Sequence, residues 1–169
     1  ADMCADSAHK TLPVLTGGAY LHIANEKYCA IAKEAMALTA TSSPSYLILD
    51  SLDRCNRTIA DKPFHIAEIC NKITALKQHC ADIGYILSPS DYMRITFDCA
   101  AVHSTGFAMA DMLRDFDIEC EYADEYRCVM LFGSATTDVD IETIKTVLTA
   151  NTPKSIFVRN LPSPPIHIR

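Results

Sequence analysis

Ser7-Ala8-His9-Lys10-Thr11-Leu12-Pro13-Val14-Leu15-Thr16-Gly17-Gly18-Ala19-Tyr20-Leu21-His22-Ile23 is the stretch on which the reading of this chain turns. A lysine stands between hydroxyl residues, with a histidine beside it and a glycine pair downstream. An amine in that setting suits covalent attachment to an aldehyde, and the neighbouring hydroxyl and imidazole donors suit an anion. Gly17-Gly18 permits positive φ and a close approach of backbone to a bound group. Residues 19–23 read as a short buried strand. Alone, Ser-x-His-Lys is a short pattern. A lysine is usually solvated, Ser7 can simply cap a turn, and His9 can simply be exposed. The ordered succession of loop, glycine pair and strand is what makes the block specific.

The rest of the composition narrows the class. The chain has 169 residues, about half of them apolar, enough for a real core. Its net charge is −6, with lysines and arginines scattered, which disfavours a nucleic-acid partner. No apolar run approaches the roughly 20 residues that span a bilayer. No secretory leader is recognisable. Eight cysteines fall mostly within apolar helical or strand patterns, and no C-x-x-C or zinc-type Cys/His spacing occurs. Reduced thiols in a cytoplasmic setting are therefore expected.

Downstream of the lysine block, Asn25 is placed to cap a helix over 26–38, with Ile31, Ala35 and Leu38 on one face. Thr41-Ser42-Ser43-Pro44-Ser45-Tyr46 breaks that helix and restarts another over 44–59, with Ser43 as cap and Pro44 first in the helix. A helix start also offers free N–H groups to a phosphate. Pro63 marks the next start. Ile66, Ile69, Cys70, Ile73, Leu76, Cys80 and Ile83 recur at three or four residues, and Gly84 ends the run.

Residues 93–99 alternate like a strand. Gly106 opens a helix carrying Met109, Leu113 and Phe116. Residues 118–122 and 128–132 read as strands, and Asp138 starts a last helix with Ile141, Ile144 and Leu148 inward. The end of the chain, with Pro153, Pro162, Pro164 and Pro165, carries little regular pattern. His103 reads as structural, and Glu121 and Asp124 as solvated carboxylates.

Three of these blocks, in order, resemble the Orn/Lys/Arg decarboxylase family, a fold-type-I group that uses pyridoxal 5'-phosphate (PLP). They are the lysine loop, the Ser43-Pro44 restart, and the run from Asp91-Tyr92-Met93-Arg94 through Ser104-Thr105-Gly106-Phe107 to Val129-Met130-Leu131-Phe132. The likeness extends over about residues 1–150. It implies an α/β fold: the end of a fold-type-I large domain over 1–83, a small β-α-β-β-α layer over 84–150, and a Pro-rich tail over 151–169.

The resemblance also implies roles. Lys10 is the Schiff-base residue, Ser7 and His9 lie on the cofactor phosphate, and Thr16 is a further polar contact. Ser43 reaches the phosphate of a partner subunit, which implies a homodimer with shared sites. The implied reaction is decarboxylation of arginine, lysine or ornithine. An aminotransferase or lyase of the same fold type, or a non-catalytic dimerisation module, are the alternatives.

Two departures stand out. Gly17 occupies a place where the family often has Gln. The aspartate that pairs with the pyridine nitrogen and the ring-stacking histidine precede the lysine in the family, as does a Gly/Ser phosphate loop, and Asp2 and Asp6 do not match that motif. The chain is accordingly expected to be a fragment or truncated form, inactive alone.

Overall fold

The computed structural model describes residues 1–62 and 65–153. They form two compact units. Among the described residues, the first comprises 1–62, 65 and 133–135, and the second comprises 66–132 and 136–153. The expected junction at 83/84 does not divide them. Residues 66–82 belong with the second unit, because Ile69, Ile73, Leu76 and Cys80 are buried in its core.

The first unit begins with β1 (Met3–Asp6), paired antiparallel with β2 (Tyr20–Ile23), so that Asp6 faces Tyr20 and Met3 faces Ile23. β2 lies within the expected strand over 19–23, but it is not buried: Leu21 and His22 are exposed and Tyr20 and Ile23 only partly covered. β1 was not anticipated, since four residues without apolar alternation carry no period-two signal. After β2, Asn25 accepts the Lys27 N–H on its side chain at 3.2 Å, so it caps as expected. The first turn, Glu26–Tyr28, is a 3-10 turn, and the α-helix proper, α1, runs Cys29–Thr39.

The expected inward face of α1 is not buried: Ile31 and Leu38 are 63% and 87% exposed, and Ala32 is buried instead. α2 covers Tyr46–Asp61. It starts at Ser45, two residues after the expected cap. The first helical hydrogen bond of α2 runs from Leu49 N–H to Ser45 O, and Pro44 lies outside the helix. Proline pushes its predecessor into extended backbone, which leaves Ser43 outside as well. The Ser43 N–H donates to Thr41 Oγ1 at 3.1 Å.

α3 (His65–Asp82), in the second unit from Ile66 on, is closed by Gly84 at φ +99°, a left-handed position that glycine adopts freely. The start signal at Pro63 lies outside the described residues. Four antiparallel strands follow in the order β3 (Leu87–Ser88), β4 (Arg94–Asp98), β6 (Arg127–Leu131), β5 (Tyr122–Ala123). α4 (Gly106–Arg114) joins β4 to β5, and α5 (Asp138–Ala150) follows β6.

In the β4–β6 ladder Ile95 faces Met130 and Phe97 faces Cys128, and all four are buried. They pack in one cluster with Ile73 and Leu76 of α3, Met109 and Leu113 of α4, and Ile144 and Leu148 of α5. Each such side chain contributes about 1.5–3 kcal/mol by leaving water.

The strand expected over 118–122 is shortened to β5. The turn after α4 takes up its first residues: Ile118 N–H bonds back to Leu113 O at 3.1 Å, with Asp117 at φ +59°. Phe116 falls past the helix and is 45% exposed.

α5 opens on a capping box. Asp140 N–H donates to Thr137 Oγ1, and the Asp140 carboxylate accepts the Thr137 N–H at 2.8 Å. The Thr137 N–H, and after it the Thr137 hydroxyl donating to the same carboxylate at 2.7 Å, hold the Asp140 carboxyl below its ordinary value. A depressed folded value stabilises the native state above the unfolded value, about pH 4, and the contribution is lost as pH falls through the folded value. Thr137→Ala is expected to cost about 1 kcal/mol at neutral pH. Urea titrations at pH 7 and pH 3 check this: the wild-type advantage should shrink at the lower pH, and an unchanged gap would show that the carboxylate does not take part.

Candidate active site

The lysine block forms a loop between β1 and β2 whose backbone bonds to itself. Ser7 leaves β1, and Ala8–Lys10 makes one 3-10 turn with the Lys10 N–H on Ser7 O at 3.1 Å. Ala8 is buried under it. The far limb is a tight turn in which the Gly18 N–H donates to Leu15 O at 3.0 Å with Gly17 at φ +96°. A side chain at that φ is strained, so glycine is needed there. Gly18 is needed for space: a Cβ would run into Val14 and lie 3.2 Å from Leu15 O.

The two limbs meet at His9. Its backbone N–H and its Nδ1 both lie on Gly18 O, at 3.4 and 3.1 Å. A carbonyl oxygen only accepts, so Nδ1 carries the proton and Nε2 faces away from that contact.

Around this loop α2 supplies further ties. Ser51 Oγ accepts the Leu15 N–H at 3.1 Å. The Tyr20 hydroxyl lies 3.2 Å from Leu52 O and 3.0 Å from Asn56 Oδ1. Burial pushes the Tyr20 hydroxyl above its ordinary value, and Cys55 beside it adds to the rise. Asp6 and His22 pair at 3.1 Å, both well exposed, so the pair adds little stability. A cavity of about 370 Å³ opens here, lined among others by Ser7, Thr11, Tyr20, His22 and Asn56.

The structure thus gathers Ser7, His9 and Lys10 on one turn, with Lys10 exposed and Thr16 on the adjoining turn of the same loop. Ser43 lies elsewhere in the unit, exposed in the α1–α2 connection. The ties made by Tyr20, Ser51 and Asn56 were not legible from the sequence, because each spans more than thirty residues. The local hint was the place of Tyr20 within the strand expected over 19–23.

No family model matches the chain. It is 30% identical over 145 residues to the uncharacterized protein YaaO of Bacillus subtilis, across 78% of this chain and 30% of that protein. In structure it is similar to the Francisella novicida lysine decarboxylase LdcF, with a TM-score of 0.73 at 17% identity, over 92% of this chain and 28% of that one. The constitutive lysine decarboxylase of E. coli gives 0.67 at 17% identity, over 88% and 28%. The Sphingomonas wittichii serine palmitoyltransferase gives 0.71 at 13% identity, over 94% and 41%.

The chain therefore spans about three-tenths of YaaO and of the two decarboxylases. Its fold is the expected one: the end of a fold-type-I large domain followed by a small α/β layer. No described helix is long and apolar enough to cross a membrane.

Proposed function

We propose that this chain is the lysine-bearing part of a PLP-dependent decarboxylase acting on arginine, lysine or ornithine. The observation that carries the reading is the Lys10 turn, with its histidine ring locked to Gly18 O, in a fold shared with two lysine decarboxylases.

The donor set fits part of the cofactor. Lys10 offers an amine to the aldehyde, and Ser7 offers a hydroxyl to the phosphate with the His9 ring beside it. Thr16 adds a hydroxyl from the adjoining turn. Asp6 is engaged with His22, and in the resembling family the carboxylate for the pyridine nitrogen stands before the lysine.

When bound, the cofactor supplies the sink for the electrons left by departing CO₂. The chain's own contribution is to hold it: Lys10 anchors one end and can carry a proton at Nζ, while the Gly17-Gly18 turn fixes the ring of His9. In the same reading Ser43, at the exposed α1–α2 connection, serves the phosphate of a second copy, and the working unit is a cytoplasmic homodimer.

The test is incubation with PLP, borohydride reduction and peptide mass mapping, on the wild type and on Lys10→Ala. Pyridoxyllysine at Lys10 and its loss in the variant support the reading. Label spread over exposed lysines, unchanged by the variant, would remove it. The likeness to a serine palmitoyltransferase favours a second reading, another reaction on the same fold. Release of CO₂ from a basic amino acid by a protein containing this segment separates the two.

A further inference from the structure

Cys120, two residues before β5, and Cys128, the second residue of β6, place their sulfurs 3.2 Å apart. They are the two sides of a tight hairpin. The Glu121 N–H bonds to Val129 O at 3.0 Å, Ala123 faces Cys128, and the Asp124 carboxylate accepts the N–H groups of Tyr126 and Arg127 to close the turn. Cys128 is fully buried, whereas Cys120 is only partly covered. The hairpin thus presents a reachable thiol backed by a buried one at contact distance.

We propose that Cys120 and Cys128 form a reversible redox pair, closed to a disulfide by a peroxide. A disulfide needs about 2.05 Å between sulfurs, so closure asks for a movement of little more than about 1 Å across a two-residue edge strand. Cys120 is the attacking sulfur. The Cys128 S–H donates to it and holds its thiol below the ordinary value, opposed by burial and by the Glu119 carboxylate and aided by the Arg114 guanidinium. Cys128 is pushed the other way by the same hydrogen bond and by burial, and keeps its proton.

In the first step the Cys120 thiolate takes one oxygen of hydrogen peroxide, the O–O bond breaks, and hydroxide leaves and is protonated to water. Cys120 is then a sulfenic acid. In the second step the Cys128 sulfur attacks it, the S–O bond breaks, and the departing hydroxyl takes the Cys128 proton as water. Two thiols lose two electrons and one peroxide gains them, giving one disulfide and two waters. A dithiol reductant reverses the change.

The test uses the whole chain, treated with one equivalent of hydrogen peroxide, blocked with an alkylating reagent and digested with trypsin. Cleavage after Arg127 separates the two cysteines, so a disulfide appears as a linked pair of peptides. The expected result is a Cys120–Cys128 link that dithiothreitol abolishes, with the other six cysteines alkylated. In Cys120→Ser, Cys128 should stay reduced. In Cys128→Ala, a small apolar replacement suited to the buried position, Cys120 should stop at the sulfenic acid and be trapped by dimedone. Alkylation of both thiols, over-oxidation of Cys120 in the wild type, or links to Cys4 or Cys29 in its place would overturn the proposal.

Discussion

Replacing Gly106 with alanine is expected to abolish cooperative folding of the second unit. Gly106 is the first residue of α4 and is buried. A Cβ added there would lie 2.5 Å from Asp124 O and closer still to the Arg127 carbonyl. Both obstacles are backbone, so no rotamer change relieves them. The same hairpin is pinned from several sides: the Phe107 N–H donates to Asp124 O at 3.2 Å, and the Asp124 N–H donates to Arg127 O at 2.9 Å. Moving either carbonyl breaks those bonds and separates β6 from α4. A loss above about 4 kcal/mol follows, which is a large share of the total stability of an ordinary domain. Phe107→Ala, one residue on and 56% exposed, is the control and should change stability by less than about 1 kcal/mol. Urea unfolding followed by far-UV circular dichroism measures both. A Gly106→Ala midpoint within error of the wild type would show that the hairpin can move aside at little cost.

Phe97→Ala carries the second large effect. Phe97 is 1% exposed at the centre of β4, and its ring meets that of Tyr85 edge-on with centroids 5.3 Å apart. Across the ladder it faces Cys128 on one side and Leu87 on the other. Truncation removes the transfer free energy of a benzyl group and leaves a cavity in a cluster built from three helices and the sheet. The expected cost is about 3–5 kcal/mol. Tyr85 loses its ring partner but keeps its hydroxyl on the carbonyls of Leu148 and Asn151, so the tyrosine cannot swing in to fill the space. Phe97→Leu should recover more than half of the loss, because most of the volume returns. Guanidinium titration of both variants checks this, and equal midpoints for the two would mean that the site collapses freely around the gap.

The sequence anticipated those elements whose cues are local. The three-and-four spacing from Ile69 to Cys80 gave α3, the alternation at Arg94–Asp98 gave β4, and Asp138 with Ile141, Ile144 and Leu148 gave α5. It failed where the cue is a distant partner. β1 exists only because β2 pairs with it. Ile31 and Leu38 followed helical spacing yet face outward, since periodicity marks a face without naming what lies opposite. Ser43 looked like a cap, but Pro44 holds the chain extended and the helix begins after Ser45, whose side chain makes no capping bond. Within the candidate site, the lysine turn and the glycine turn were legible as neighbours in sequence. Their junction through His9 and Gly18 O, and the ties to Ser51 and Asn56, required the fold.

The short return of residues 133–135 to the first unit has a consequence for the newborn chain. The Ser134 N–H donates to Thr11 O at 3.0 Å, and the His65 Nε2 donates to Ser134 O at 2.9 Å. The carbonyl next to Lys10 in sequence therefore waits for a partner made some 120 residues later, which at ~5–20 residues per second is on the order of ten seconds of translation. Until then the lysine loop rests on its own turns, the β1–β2 ladder and α2, and whatever reaches the nascent loop in that interval meets it before its tie to Ser134 has closed.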